Sequence, residues 1–363
     1  MTMAIVPTFA AADGNRLAHH TRGEGEPLLC LPGGPMRASA YLGDLGGLTR
    51  HRRLCVLDLR GTGDSALPAD TATYRCDRQV DDVEAFRAHL RLDRVDLLAH
   101  SAGGDLALLY AVRHPRRVRT LTLVTGRARA LGVDFTAEHR AEGAARRAAE
   151  PWFESAHEAY GRIWAGTASD ADFDVATPFF YGRWDAAAMA HAATDVEQTN
   201  EKAADRYAAP DAFRPAEARA VAAAWDTRVL LVAGELDSGP LPRVAAAVAD
   251  LFPRAELAVL PGCGHFPWLD APKAFRETVA GFLDRADSRE DDRRDDAEDP
   301  PWDGGEDDRR DDGEADRRDG SDDDRRDDAE DPPWDGGEDD RRDDGEADRR
   351  DGREGDGRDR PRA

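Results

Sequence analysis

Cysteine is scarce in this 363-residue sequence. The four cysteines, Cys30, Cys55, Cys76 and Cys263, are widely spaced and form no Cys-x-x-Cys pair. The sequence therefore offers neither the ligand spacing of a zinc site nor a disulfide framework. Cys30 and Cys55 also fall in apolar segments that read as core strands. We predict buried, reduced thiols and a cytoplasmic protein.

Long apolar runs are missing as well. No stretch of about 18 apolar residues occurs, which argues against a transmembrane helix. The N-terminal segment MTMAIVPTFAAADG has no basic region followed by a long apolar one, so it does not read as a signal peptide. We expect no membrane partner.

The sequence also lacks a long run of basic residues. The chain has a formal net charge of −24, and residues 287–363 hold 36 acidic against 17 basic residues, a net of −19. Residues 1–286 therefore carry only −5, and the acidity says little about their partner. Because nucleic-acid binding depends on clustered positive charge, we expect no nucleic-acid partner.

The acidic segment contains a tandem repeat. Residues 291–320 recur without a change at 323–352. A segment this charged cannot bury enough apolar surface to offset its chain entropy, so we predict a disordered tail over 287–363. Pro-Pro-Trp recurs at 300–302 and 332–334. As an alternative, the tail could bind an unknown partner through Pro-Pro-Trp as a two-copy linear motif. It could also serve as a scaffold.

The remaining sequence alternates short apolar runs with helical patterns. Strands are predicted near 5–11, 16–21, 27–31, 54–59, 95–99, 121–124, 229–233 and 257–260. One helix is predicted to end at about Leu48, and another to begin after an N-cap at Asp77. Further helices are predicted over 106–112, 241–251 and 271–283. This alternation is typical of a mostly parallel sheet with helices on both faces.

The alternation stops between 127 and 225. This segment has a helical pattern and many aromatic residues, and it is too long for a loop. We predict a helical cap inserted into the core, which then comprises residues 1–126 and 226–286. Most of the aromatics should form the core of the cap itself, and the remainder should face a pocket.

Ser101 lies between a predicted strand and a predicted helix, in the segment Ala99-His100-Ser101-Ala102-Gly103. A sharp turn there would present the hydroxyl above the sheet, as in a G-x-S-x-G nucleophile motif. Ala99 replaces the first glycine and adds one methyl group. We predict that Ser101 is a catalytic nucleophile, and we assign His100 a structural role because its side chain should point away.

A serine hydroxyl needs a base and a carboxylate to orient that base. His265 follows the last predicted strand on a glycine-rich loop, where the carboxyl ends of parallel strands meet. Asp237 follows the preceding strand, and Glu235 is its only close competitor. The order Ser101, Asp237, His265 matches the Ser…Asp…His order of one class of hydrolases. We predict these three residues as the catalytic triad.

Acyl transfer also requires hydrogen-bond donors for the oxyanion. The backbone N–H of Ala102, directly after Ser101, is one candidate. The segment Pro32-Gly33-Gly34-Pro35 follows the third strand and allows backbone to approach a ligand closely. We predict that Gly34 is the second donor, with Gly33 as the alternative.

Four ordered motifs resemble those of α/β-hydrolases, and of the proline iminopeptidase-like branch in particular. They are Gly33-Gly34-Pro35, the segment 58–65 (DLRGTGDS), the Ser101 turn and the segment 264–268 (GHFPW), and the similarity covers about residues 8–284. The resemblance implies an α/β-hydrolase fold with an eight-stranded sheet and an inserted cap. It also implies a site without metal or organic cofactor. Pro32 and Met36 stand where that branch has histidine and glycine.

Hydrolysis of a small-molecule substrate is the predicted function. The bond could be an ester, an amide or a lactone, cleaved through an acyl-enzyme on Ser101. An aminopeptidase acting on N-terminal proline is an alternative. However, Trp164 is followed by Ala165, where that branch has a substrate-binding glutamate. A non-catalytic ligand-binding protein with this fold is a further alternative.

Overall fold

The structure is a computed structural model that describes residues 6–298, without the side chains of residue 210 and residues 289–298. Eight strands form one sheet in the order β1-β2-β4-β3-β5-β6-β7-β8. The strands are β1 (Thr8–Ala10), β2 (Arg16–Arg22), β3 (Pro27–Leu31), β4 (Arg53–Leu57), β5 (Val95–His100), β6 (Val118–Val124), β7 (Arg228–Gly234) and β8 (Ala255–Leu260). β2 pairs antiparallel with β1 and β4, and every other pairing is parallel.

Helices cover both faces of this sheet. They are α1 (Val80–His89), α2 (Gly103–Arg113), α3 (Ala137–Ala145), α4 (Phe153–Ala165), α5 (Asp170–Ala176), α6 (Ala186–Ala192), α7 (Asp195–Gln198), α8 (Glu201–Tyr207), α9 (Pro215–Ala224), α10 (Pro242–Ala249), α11 (Pro267–Asp270) and α12 (Pro272–Glu298). None of the helices within residues 6–298 is long and apolar enough to cross a membrane.

Alternation along the strands divides the core into two layers. Leu29 and Leu31 of β3 belong to a cluster with Phe86 of α1, whereas Leu28 and Cys30 belong to a second cluster with Phe275 of α12. Successive side chains of a strand point to opposite faces, so each face of β3 packs under its own helices. This confirms the predicted mostly parallel, helix-covered sheet. All four cysteines are buried, as predicted.

The insertion, residues 127–225, lies between β6 and β7 and contains α3 to α9. It has a small apolar core of its own. The aromatic members of this core are Trp152, Phe153, Tyr160, Trp164 and Phe179. Phe173 is an exception, because 55% of its surface is exposed. Phe180 is half-buried and lies against the loop that follows β8.

Several local expectations were wrong. The helix expected before Leu48 is replaced by two short 3-10 segments, Ser39–Leu42 and Leu48–Arg50. Helix α1 begins at Val80 with Gln79 at its N-cap, because the Asp77 carboxylate instead accepts hydrogen bonds from the guanidinium of Arg75.

The predicted boundary of the acidic tail was also misplaced. Helix α12 continues from the core through residues 287–298, where composition alone predicted disorder. Asp287 accepts hydrogen bonds from Arg52 and Arg119, so contacts with the core extend at least that far. Most of the predicted tail, including both Pro-Pro-Trp segments, lies outside the described residues.

Candidate active site

Ser101 occupies a sharp turn between β5 and α2. Its φ angle is 51°, a region that residues with side chains seldom adopt. The turn needs small neighbours because Pro32 approaches it closely. A Cβ on Gly103 would lie 2.5 Å from the carbonyl oxygen of Pro32. The hydroxyl of Ser101 thus stands at the carboxyl end of β5 and at the N-terminus of an 11-residue helix, where the helix dipole favours negative charge.

His265 lies within hydrogen-bonding distance of Ser101. The distance from Ser101 Oγ to His265 Nε2 is 2.8 Å, and both residues are 7% exposed. Two hydrogen bonds of the His265 backbone hold its loop in place. The N–H of His265 donates to the carbonyl of Phe180 in the insertion, at 2.7 Å. The carbonyl of His265 accepts a hydrogen bond from the hydroxyl of Thr125, at 2.9 Å.

Asp237 completes the arrangement. Its Oδ2 lies 2.9 Å from His265 Nδ1, and the residue is fully buried. A carboxylate only accepts hydrogen bonds, so Nδ1 carries the proton and Nε2 is free to accept the Ser101 hydroxyl. The other oxygen of Asp237 accepts the N–H of Gly239, which fixes the carboxylate. Glu235 is exposed and binds the N–H of Gly262 instead.

The predicted oxyanion donors are placed as follows. Among the described residues, the backbone N–H groups of Gly34 and Ala102 donate to no protein acceptor. The N–H of Gly33, by contrast, donates to the hydroxyl of Tyr41 at 2.7 Å. Gly33 packs directly against the Ser101 turn, because a Cβ there would lie 2.7 Å from the His100 carbonyl. This arrangement favours Gly34 over Gly33 as the second donor.

The segment 58–65 orders the loops beside the site and supplies no reacting group. The buried carboxylate of Asp58 accepts hydrogen bonds from the N–H groups of Ser39 and Asp64 and contacts the imidazole of His20. His20, Asp58 and Asp64 are close enough to hold a cation. However, the Asp58 oxygens already have these partners, so we assign the cluster a structural role.

Two groups that the sequence did not point to also shape the site. Asp270 accepts the N–H groups of Gly182 and Gly264, so one carboxylate joins the insertion to the His265 loop. Burial raises the pKa of Asp270. Tyr41 lies beneath the Gly33–Gly34 turn. Neither residue belongs to a sequence motif, and only the tertiary structure brings them to the site.

Comparison with known proteins agrees with this architecture. Residues 26–272 match the alpha/beta hydrolase fold family. The chain is 29% identical over 290 residues to a 2-hydroxymuconate semialdehyde hydrolase of Pseudomonas sp. strain CF600, covering 76% of this chain and 93% of that protein.

A proline iminopeptidase of Heyndrickxia coagulans is 36% identical over 99 residues, which cover 27% of this chain and 34% of that enzyme. The solved structure of a proline iminopeptidase from Mycobacterium smegmatis superposes with a TM-score of 0.60 at 23% identity, over 78% of this chain and 99% of that one. The latter likeness supports the fold alone. These relatives support a hydrolase, and the chain belongs to the alpha/beta hydrolase fold family.

Proposed function

We propose that the protein is a serine hydrolase that cleaves an ester, amide or lactone bond of a small substrate through an acyl-enzyme on Ser101. The hydrogen-bonded series Ser101–His265–Asp237, with distances of 2.8 and 2.9 Å, is the observation that carries this proposal. A serine in this geometry is activated by an adjacent base whose tautomer is fixed by a buried acid.

In the proposed reaction, Ser101 Oγ attacks the substrate carbonyl carbon and its proton passes to His265 Nε2. The carbonyl oxygen becomes an oxyanion and accepts the N–H groups of Gly34 and Ala102. His265 then donates the proton to the leaving alcohol or amine as the bond to carbon breaks. A water molecule then attacks the acyl carbon while His265 takes its proton. The bond between the acyl carbon and Ser101 Oγ breaks, the acid is released, and His265 returns the proton to Ser101 Oγ.

The substrate class stays open among three candidates. A relative matched over most of its length is named as a hydrolase of 2-hydroxymuconate semialdehyde. That compound has no ester, amide or lactone bond, so activity on it would break a carbon–carbon bond and lie outside the reaction proposed above. The shorter match is to a proline iminopeptidase. A simple ester or lactone needs no recognition of a free amine. Parallel assays with that semialdehyde, a prolyl naphthylamide and p-nitrophenyl esters would rank the three.

Labelling with a fluorophosphonate probe tests the nucleophile directly. We expect the wild-type protein to be labelled on Ser101, as located by peptide mass spectrometry, and the Ser101→Ala variant to remain unlabelled. We also expect hydrolysis of the best substrate to fall by about 10⁴-fold or more, as in other enzymes that lose a triad member.

A matched variant controls for the general effect of removing a hydroxyl. Ser155 is exposed, and its hydroxyl donates only to the Trp152 carbonyl. Ser155→Ala should therefore be labelled like the wild type. Undiminished labelling or turnover in Ser101→Ala would rule out the proposed mechanism. A wild-type protein that no probe labels but that a small ligand stabilises would favour the non-catalytic alternative.

A further inference from the structure

Three hydrogen bonds run behind the nucleophile and connect the two loops that flank it. The N–H of Gly33 donates to the hydroxyl oxygen of Tyr41 at 2.7 Å. This hydroxyl lies 2.7 Å from His100 Nδ1. His100 Nε2 in turn lies 3.0 Å from the carbonyl oxygen of His265. We call this series the Tyr41–His100 bridge.

Only one assignment of protons satisfies every member of the bridge. The His265 carbonyl can only accept, so His100 Nε2 carries a proton and Nδ1 is an acceptor. Tyr41 therefore donates its O–H to Nδ1 and accepts the Gly33 N–H on its oxygen. A protonated His100 would have no acceptor to offer Tyr41, so the bridge requires a neutral imidazole.

The surroundings maintain this state. Tyr41 and His100 are 5% and 2% exposed. The centroid of the His100 ring lies 4.8 Å from that of Trp268 and 4.9 Å from that of His265. Burial and the neighbouring His265 hold the pKa of His100 well below its usual value. Burial also raises the pKa of Tyr41, so its phenol keeps the proton that it donates.

We propose that Tyr41 and His100 are positioning residues, which fix the Gly33–Gly34 turn and the His265 loop relative to Ser101. This inference rests on the proposed function. His100 precedes Ser101 in the chain, so the bridge ties the nucleophile, the base loop and the oxyanion loop into one unit. It also engages the N–H of Gly33, which leaves the neighbouring N–H of Gly34 to face the oxyanion.

The alternative is that the two side chains only fill space in the aromatic cluster. Three variants separate these roles because each keeps most of the volume. Tyr41→Phe keeps the ring and removes the hydroxyl that links Gly33 to His100. His100→Gln can place an N–H near the imidazole Nε2 position, so it retains the donor to His265 and loses the acceptor for Tyr41. His100→Asn can place an oxygen near Nδ1, so it retains that acceptor and loses the donor.

The readout is the rate of phosphonylation of Ser101 by a fluorophosphonate, which needs no known substrate. We measure the maximal rate constant and the probe concentration at half-maximal rate, per folded molecule, and record the melting temperature in parallel. Loss of the bridge should lower the maximal rate by about 10-fold to 100-fold, as expected for reacting groups misplaced by up to 1 Å. The half-saturating concentration should change by less than about twofold, since the bridge does not touch the probe.

A double variant tests whether the two residues act together. Tyr41→Phe and His100→Gln both break the Tyr41–His100 hydrogen bond, so the double variant should be no slower than the slower single variant, within about twofold. Tyr110→Phe is the matched control. It removes a buried phenol that donates to Glu84 at 2.8 Å, in helix α2 and away from the bridge, and should leave the rate unchanged.

Two results would overturn the proposed positioning role of the Tyr41–His100 bridge. One is a maximal rate within about twofold of wild type in both Tyr41→Phe and His100→Gln, whatever their melting temperatures. The other is multiplication of the two single effects in the double variant. Failure of the proposed function looks different, because the wild-type protein would then not be labelled on Ser101 at all.

Discussion

Ser101 combines a strained backbone with close packing from a neighbouring loop. A residue with a side chain at a φ of 51° costs about 1–3 kcal/mol and persists only where its surroundings enforce it. Here Gly33 and Gly103 supply that enforcement, because each has backbone from another segment where a Cβ would stand. This strained conformation holds the hydroxyl above the sheet. It therefore serves the proposed reaction and does not stabilise the fold.

Gly33→Ala should therefore reduce the reactivity of Ser101. Its Cβ would lie 2.7 Å from the His100 carbonyl and 2.8 Å from the Ser101 Cβ, so the Gly33–Gly34 turn must move away from Ser101. We expect a loss of about 10²-fold to 10³-fold in the maximal phosphonylation rate, comparable to removal of one oxyanion donor.

Gly161→Ala is the matched control for this change. Apart from the neighbouring backbone of α4 itself, no atom lies within 4 Å of a Cβ at this position in the interior of the helix. The control should keep full reactivity and gain about 0.5–1 kcal/mol in its free energy of unfolding. Full reactivity in Gly33→Ala would show that the loop does not supply an oxyanion donor.

Residue patterns predicted the arrangement of Ser101, His265 and Asp237 better than the residues that support it. Ser101 and His265 each follow an apolar strand, and glycines at the turns mark where backbone must approach closely, so these positions can be read from local sequence. Tyr41 and Asp270 have no such mark. Tyr41 contacts His100 across 59 residues of chain, and only the tertiary fold determines that contact.

At the scale of elements, the insertion is attached to the loop that contains Gly34, the proposed oxyanion donor. The buried guanidinium of Arg37 contacts Gln198, Thr194 and Asp195, at 2.8–2.9 Å. The backbones are joined as well: the N–H of Ala38 donates to Gln198 and the N–H of Asn200 donates to Met36. The segment that begins at α7 is thus anchored next to the proposed oxyanion donor.

Arg37→Met tests this anchor. The change keeps an unbranched apolar stem and removes every polar contact. We expect a loss of about 2 kcal/mol in the free energy of unfolding, since hydrogen bonds to a charged group are among the stronger ones. The amides of Ala38 and Asn200 should exchange faster with solvent, as measured by hydrogen exchange and NMR.

Arg113→Met provides the control for Arg37→Met. Arg113 is 55% exposed and pairs with an exposed Asp81 at 3.2 Å, so its loss should cost less than about 0.5 kcal/mol. Unchanged protection of both amides in Arg37→Met would mean that the backbone pairing alone holds the insertion in place.

Elements with strong periodicity were predicted closely, and those set by contacts were not. Strand β3 has the predicted bounds, Pro27–Leu31, because a short apolar run between a turn and a proline leaves little choice. Helix α12, by contrast, includes residues 287–298, whose composition indicates disorder, and Asp287 in this segment is paired with Arg52 and Arg119. Composition averages over many residues and cannot register such a contact.

For the molecule as a whole, Asp287 shows that side-chain contacts with the folded core extend at least to this residue. Its carboxylate bridges Arg52 and Arg119, and Arg52 is only 5% exposed. Asp287→Asn in the full chain should lower the free energy of unfolding by about 1–2 kcal/mol, because a buried guanidinium loses a charged partner. Asp284→Asn, which removes a 62% exposed partner of Arg52, should cost less. If Asp287→Asn and wild type are equally stable in urea unfolding, Asp287 does not stabilise the folded core and belongs with the tail.

Buried histidines should make the whole molecule sensitive to acid. Burial lowers the pKa of both His19 and His191 to about 4, and that of His100 falls well below its usual value. Such groups bind fewer protons in the folded state than in the unfolded state. Stability therefore rises with pH through this range, and is lost as pH falls from about 6.5 towards 4.

His191 allows this linkage to be measured at a single residue. Its Nε2 contacts the carbonyl of Tyr41 and its Nδ1 the hydroxyl of Tyr181, and burial with the nearby Arg37 disfavours its charged form. One pKa unit corresponds to about 1.4 kcal/mol. After a discount for partial exposure, His191 should account for about 2 kcal/mol of the free energy of unfolding that is lost in acid.

The variant His191→Gln retains an N–H donor and cannot titrate. The difference between its free energies of unfolding at about pH 7 and about pH 4 should therefore be smaller than that of wild type by this amount. The exposed His51, changed to Gln, should leave the difference unaltered. If His191→Gln shows the same difference as wild type, the acid sensitivity lies with the other buried histidines.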